Sequence, residues 1–159
     1  MPNGYDAAGG ANLTTLLLRR FYPERTDRES GVIRDWLLAH GAEYDRFTFS
    51  VRVGEGLSAD PTHLPAVQRA TVFSSRKRID VLAWQGDQVT IIEVKERVTP
   101  SSLGQILTYR HLWSEEHPEL PEPALTIIGR YSDDDTLRSL SAHGVTVLLY
   151  ESSAPQDGA

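Results

Sequence analysis

The chain has 159 residues, 40% of them hydrophobic and 24% charged, with no cysteine and a formal net charge of −6. This suits one globular domain, which at such a length buries roughly 68–70% of its unfolded surface, enough for a sheet with helices packed on it. A disulfide framework and thiolate metal sites are excluded, and a pI of about 5.3 argues against a protein that coats nucleic acid through a general field of lysine and arginine. No apolar run approaches the ~18 residues of a membrane span, so no membrane partner is expected. Met1 to Asp6 lacks the basic flank and apolar stretch of a secretion signal, so a cytoplasmic, intracellular protein is the expectation.

Residues 1–11, rich in Gly, Ala and Asn, are expected to be disordered, and 151–159 to form a frayed tail. Residues 12–150 read as one domain. Asn12 can cap a short helix through Leu13, Leu16, Leu17 and Arg20, which Pro23 stops. A second helix starts near Thr26 or Asp27, with Val32, Ile33, Trp36 and Leu37 on one face and Gly41 just past its end. From Phe47 the period becomes two: Phe47, Phe49, Val51 and Val53 are expected to point one way, as in a half-buried strand. Gly54, Gly56, Pro61 and Pro65 make residues 54–70 a long loop with at most a helical turn, and loops of that length are often functional.

Arg78 to Trp84 and Val89 to Lys95 are apolar runs around Gly86-Asp87. They predict a hairpin with a type II′ turn, apolar on both faces and therefore mid-sheet. Ser101 or Ser102 begins a helix carrying Leu103, Ile106, Leu107, Tyr109 and Trp113, which ends near Pro118. Ala124–Gly129 is a buried strand, Asp133 to His143 a helix closed by Gly144, and Val145–Tyr150 the last strand. The predicted fold class is α/β, an α+β-like central mixed sheet flanked by helices in the order α-α-β-β-β-α-β-α-β. The first three strands form an antiparallel meander and the last two are joined by a crossover.

A turn centred on Gly86-Asp87 pairs residues whose numbers sum to 173, so Asp80 faces Glu93 and Arg78 faces Lys95. Alternation keeps Glu93 and Lys95 on the face of Asp80. Opposed residues have Cβ atoms about 4.5–5.5 Å apart. Two carboxylates held that closely in an apolar sheet repel each other and resist ionisation. A divalent cation resolves the conflict, and hard oxygen ligands suit Mg²⁺ or Mn²⁺.

Ile79-Asp80 and Glu93-Val94-Lys95 on adjacent strands, followed by a helix bearing Gln105-Ile106-Leu107-Thr108-Tyr109, resemble the PD-(D/E)XK nuclease superfamily. The Gln105/Tyr109 element resembles the Q-x-x-x-Y of its RecB-like and related exonuclease branches. The resemblance spans about residues 26–150, with Ile79 standing where the superfamily usually has proline. It implies a restriction-endonuclease-like core and metal-dependent hydrolysis of phosphodiester bonds, most naturally in DNA, with RNA also open. Asp80, Glu93 and the backbone carbonyl of Val94 would then bind Mg²⁺ or Mn²⁺, and Lys95 would orient the attacking water and offset phosphate charge. Glu29 resembles the acidic residue that many members contribute from their first core helix, although an early-turn Glu equally favours the helix dipole. Gln105 would join the catalytic set, while Tyr109, Arg76, Lys77 and Arg78 would meet nucleic acid.

Arg19-Arg20 with Arg25 and Arg28 form a second basic cluster, read as solvated surface. The five histidines show no metal-ligand spacing within one element, and Asp133-Asp134-Asp135 is explained by a helix start. The alternative is a non-catalytic nucleic-acid-binding or assembly module that keeps the nuclease fold without turnover. The small size also suits a homodimer or a subunit of a larger complex.

Overall fold

The computed structural model describes residues 12–17, 19, 22 and 24–151. Its helices are α1 (Leu13–Leu17), α2 (Asp27–His40), α3 (Pro65–Ser75), α4 (Ser101–Glu116) and α5 (Asp134–Ala142). Its strands are β1 (Arg46–Val53), β2 (Lys77–Gln85), β3 (Gln88–Val94), β4 (Ala124–Gly129) and β5 (Val145–Leu149), and a 3-10 turn over Gly41–Glu43 follows α2. The five strands form one mixed sheet in chain order. β1, β2 and β3 are antiparallel neighbours, whereas β3, β4 and β5 run parallel through the crossover helices α4 and α5.

The sheet is covered on both faces, as the doubly apolar hairpin requires. Val32, Ile33, Trp36 and Leu37 of α2 pack with Phe47, Val81, Ala83, Ile92, Val94 and Ile128. On the other face Ile106, Tyr109 and Trp113 of α4 and Leu140 of α5 meet Leu82, Trp84, Val89, Ile91 and Ile127. Each such aliphatic or aromatic side chain contributes roughly 1.5–3 kcal/mol of burial free energy. Among the described residues no helix is long and apolar enough to cross a membrane.

The hairpin register follows the sum of 173: Val81 pairs with Ile92, Leu82 with Ile91 and Gln85 with Gln88. Gly86 takes φ 58 and Asp87 does not enter the left-handed region, as a type II′ turn requires of its first residue alone. α2 begins where expected, because Thr26 and Glu29 close a capping box. Gly41 does not adopt the left-handed cap conformation; its φ is −59. A Cβ there would stand 2.5 Å from Leu13 Cδ1, so the glycine makes room for α1.

Three sequence expectations are corrected. Helix α1 spans Leu13–Leu17 and Arg19 is not helical; Arg20, expected in that helix, and its proposed terminator Pro23 lie outside the described residues, as do residues 1–11 and 152–159. The expected loop 54–70 contains the start of α3, which adds a helix between β1 and β2. Pro65 at its first turn is a legitimate start signal, but α3 buries none of its residues, so no apolar stripe marked it. Finally, Phe47, Phe49, Val51 and Val53 do not share a face. Phe47 and Phe49 pack on the α2 side, Val51 and Val53 on the α4 side.

The reversal occurs at Ser50, which adopts φ 55. A left-handed residue costs roughly 1–2 kcal/mol for a non-glycine and rotates the strand beyond it. β2 changes faces at the same rung, since Val81 packs with the α2 side and Ile79 with the α4 side. The residue between them is Asp80.

Candidate active site

Asp80 sits where β2 lets go of both neighbours. Its rung with Ser50 is missing from the β1–β2 ladder, and the β2–β3 ladder stops at Val81 and Ile92. In place of the backbone pairing, the Val94 amide donates to Asp80 Oδ2 at 2.9 Å. A strand residue sends its N–H and C=O to the same neighbouring strand, so the Val94 carbonyl faces the Asp80 side as well. The next amide, Lys95, donates the opposite way, to Ile128 O at 3.0 Å.

Glu93, opposite Asp80 by register, is 3% exposed and Asp80 is 4% exposed. Lys95 Nζ lies 3.2 Å from Glu93 Oε1, with about a third of the Lys95 side chain open to solvent. Gly129 holds this corner close: a Cβ on it would fall 2.7 Å from the Lys95 carbonyl and 2.8 Å from Val98 Cγ2. The structure therefore gathers Asp80, Glu93, Val94 and Lys95 at the carboxyl end of β3.

The electrostatics follow from burial. Desolvation pushes the Asp80 carboxyl above its ordinary range, opposed by the Arg25 guanidinium and the Val94 amide. Glu93 is pushed up to about 8, first by burial and then by the negative charge of Asp80, with Lys95 pulling the other way. Tyr109 is also raised, by burial and then by the charges of Glu93 and Asp80. Gln105 lies one turn earlier on α4, and its Oε1 is buried without a hydrogen-bond partner.

Arg25 is the charged residue of this corner that the sequence did not place there. Expected as solvated surface, it is instead inside: Arg25 Nη1 stands 2.6 Å from Asp80 Oδ1, and both side chains are 5% exposed. Glu24, in the left-handed region at φ 56, starts the turn that leads into it. A buried ion pair of this kind recovers part of a large desolvation cost, and removing one partner typically costs about 3–5 kcal/mol. The only signal in the sequence is position, one residue before the Thr26 cap.

Other expected residues are committed elsewhere. Glu29 Oε2 accepts from the Thr26 amide at 3.0 Å and the Thr26 hydroxyl at 3.2 Å, so its carboxylate closes the head of α2. Arg76 Nε donates to Gly54 O at 2.6 Å, and its Nη2 faces Glu116 Oε1 at 3.4 Å, so it ties β1 to α4 and not to a ligand. Arg78 pairs with Glu24 at 3.0 Å, and Lys77 is exposed.

Among the described residues no group of three or more His, Asp or Glu side chains comes together to hold a metal ion. Asp80 and Glu93 are a pair. Glu93 Oε2 and Gln105 Oε1, however, are buried acceptors without a partner in the protein. Orphaned buried acceptors need an explanation such as an ion or water, and these are the hard oxygen donors that Mg²⁺ or Mn²⁺ takes. A separate groove lined by Trp36, His40, Tyr44, Gln88 and Thr126 lies at the opposite end of β3 and contains none of these groups. Comparison with models of known families, with curated proteins and with solved structures gives no match to this chain.

Proposed function

We propose that this chain is a divalent-metal-dependent nuclease with a restriction-endonuclease-like core of the PD-(D/E)XK type, hydrolysing phosphodiester bonds in DNA. The observation that carries the reading is a buried pair of opposed carboxylates, one with a free oxygen, beside a half-open lysine. A purely structural pair would be expected to have every oxygen satisfied.

Asp80 and Glu93 would hold Mg²⁺ or Mn²⁺, with the Val94 carbonyl on the same side and Gln105 Oε1 within the same layer. Two carboxylates suffice for Mg²⁺, which keeps several waters and takes substrate oxygens for the rest. When bound, the ion supplies a water of lowered pKa and positive charge at the phosphate. Lys95 reaches from the carboxylates to solvent, so it can orient the attacking water and stabilise the charge that gathers on the phosphate oxygens. Lys77 is exposed and available to the strand being cut, whereas Tyr109, expected to meet nucleic acid, is buried in the core under α4.

A panel of Mg²⁺, Mn²⁺ and Ca²⁺ against linear, circular and single-stranded DNA and RNA tests this. Cleavage should require Mg²⁺ or Mn²⁺ and should fall at least a hundredfold in Asp80→Asn, Glu93→Gln and Lys95→Met, each still folded. Undiminished cleavage in either carboxylate variant would sink the assignment.

The second reading, a non-catalytic nucleic-acid-binding or assembly module, has one observation in its favour. Both oxygens of Asp80 already have partners, Arg25 and the Val94 amide. Calorimetry separates the two: no Mn²⁺ uptake at millimolar concentration favours the module.

A further inference from the structure

The unpartnered oxygen of Glu93 is matched in the same corner by two unpartnered donors. Arg25 Nε and Nη2 are buried and have no hydrogen-bond partner, while Nη1 faces Asp80. Nε and Nη2 form one side-on edge of the guanidinium, the two-pronged edge that grips carboxylate or phosphate oxygens in parallel. A buried guanidinium with its best edge unused is poorly satisfied as a structural counter-ion. The same corner thus has an acceptor unmatched at Glu93 and a donor edge unmatched at Arg25.

Charge bookkeeping connects the two. Asp80, Glu93, Lys95 and Arg25 sum to zero when both acids are ionised, the state in which the two carboxylates would hold a metal. Oδ2 of Asp80 is taken by the Val94 amide, which leaves Oδ1 as the oxygen for a metal. Arg25 stands on that oxygen at 2.6 Å. A divalent ion there would share its ligand with a guanidinium only a few ångströms away, and like charges at such a separation in a dry site repel strongly.

We propose that Arg25 is the phosphate ligand of this site, freed for that role when a divalent ion takes over Asp80 Oδ1. The inference rests on the nuclease reading and deepens it: the ligand is a phosphate of the nucleic-acid backbone. Arg25 precedes the Thr26 cap, outside the hydrogen-bonded body of α2, so its side chain can change partners without unwinding the helix. The exchange makes metal and substrate arrive as complementary charges: the ion replaces Arg25 at the acids, and the phosphate satisfies the edge that the protein leaves empty.

The test uses the full chain, Mn²⁺, and a short fluorescein-labelled DNA duplex kept uncleaved in Ca²⁺. Arg25→Lys keeps a cation opposite Asp80 but lacks the two-pronged edge. Its duplex affinity should fall about tenfold or more, the scale of a lost charge-assisted hydrogen bond, while Mn²⁺ affinity and Tm stay near those of the unmodified chain. Arg25→Met removes the competing cation, so calorimetry without DNA should give Mn²⁺ binding several times tighter while duplex binding weakens. A structural counter-ion would not move the two affinities in opposite directions. Equal duplex affinity in Arg25→Lys overturns the assignment, as does Mn²⁺ binding in Arg25→Met no tighter than in the parent. Should Arg25→Met not fold, Arg25→Lys decides alone. A parent chain that binds neither Mn²⁺ nor duplex removes the nuclease reading and this inference together, whereas binding of both that ignores Arg25 removes the inference only.

Discussion

Ser50 and Asp80 stand opposite each other at the one rung missing between Arg46 and Val53 on β1 and Lys77 and Trp84 on β2. Ser50 is left-handed there, and Asp80 trades its place in the ladder to the next strand for a side-chain bond to Val94. The distortion of one strand is therefore what releases the acid of the other from regular pairing. Ser50→Val should destabilise the fold by about 1–3 kcal/mol, since a β-branched residue tolerates the left-handed region least. Ser50→Gly should be close to neutral, because it relieves strain while losing the hydroxyl's bond to Glu24. Urea unfolding of both variants checks the order.

The raised Glu93 carboxyl gives a pH dependence of defined sign. Its ordinary value of 4.5 rises to about 8 in the fold, so between those values the folded chain holds a proton that the unfolded chain has lost. Stability is then fully present below about 4.5 and is lost as pH climbs through about 8. Asp80 is displaced in the same direction and adds to the slope. Metal-free protein should show a falling Tm from weakly acidic to weakly basic pH, and Glu93→Gln should flatten the curve. A Tm that rises across that interval would contradict the assigned environment of Glu93.

Glu29 is expected to matter for stability and not for the site. Loss of a capping interaction costs about 0.5–2 kcal/mol, so Glu29→Ala should lower the unfolding free energy by that order while Mn²⁺ affinity remains unchanged. A large loss of Mn²⁺ binding with little change in stability would return Glu29 to the metal site.

The cationic run Arg76-Lys77-Arg78 should divide by partner. Lys77→Ala should reduce the salt dependence of duplex binding by about one phosphate contact, with stability untouched. Arg76→Ala should instead loosen the fold, because its donors are spent on Gly54, Arg52 and Glu116. Titrations at several salt concentrations, paired with thermal melts, separate the two outcomes.

What could be read from the letters was periodic or local. The Thr26/Glu29 box announces α2, Gly86 sets the turn, and a correct turn centre is enough to put Asp80 across from Glu93. What could not be read depended on one backbone dihedral or on distant packing. Nothing in Phe49-Ser50-Val51 signals a left-handed serine, because the apolar alternation runs through it unbroken. Arg25 looks like any surface arginine until the sheet end comes up against it. Glu29 shows the limit from the other side, since an acid in a first helical turn has the same letter whether it caps or coordinates. α3 escaped because burial is what writes a helical period, and it has none.

That bare helix has a kinetic consequence. Between Val53 and Lys77 the chain leaves the sheet, builds α3 and returns to pair with the strand it left, held at the helix's far end by Arg52 on Ser74 and by the Leu57 amide on Ser75. Amides of Pro65–Ser75 should therefore exchange with deuterium through local opening at small cost, well before those of Val81 to Ile92, which open only with the whole molecule. Because the long excursion must close before β1 can dock, the β2–β3 hairpin is the piece with the shortest loop to form, and the acidic pair would be assembled ahead of the strand that distorts it.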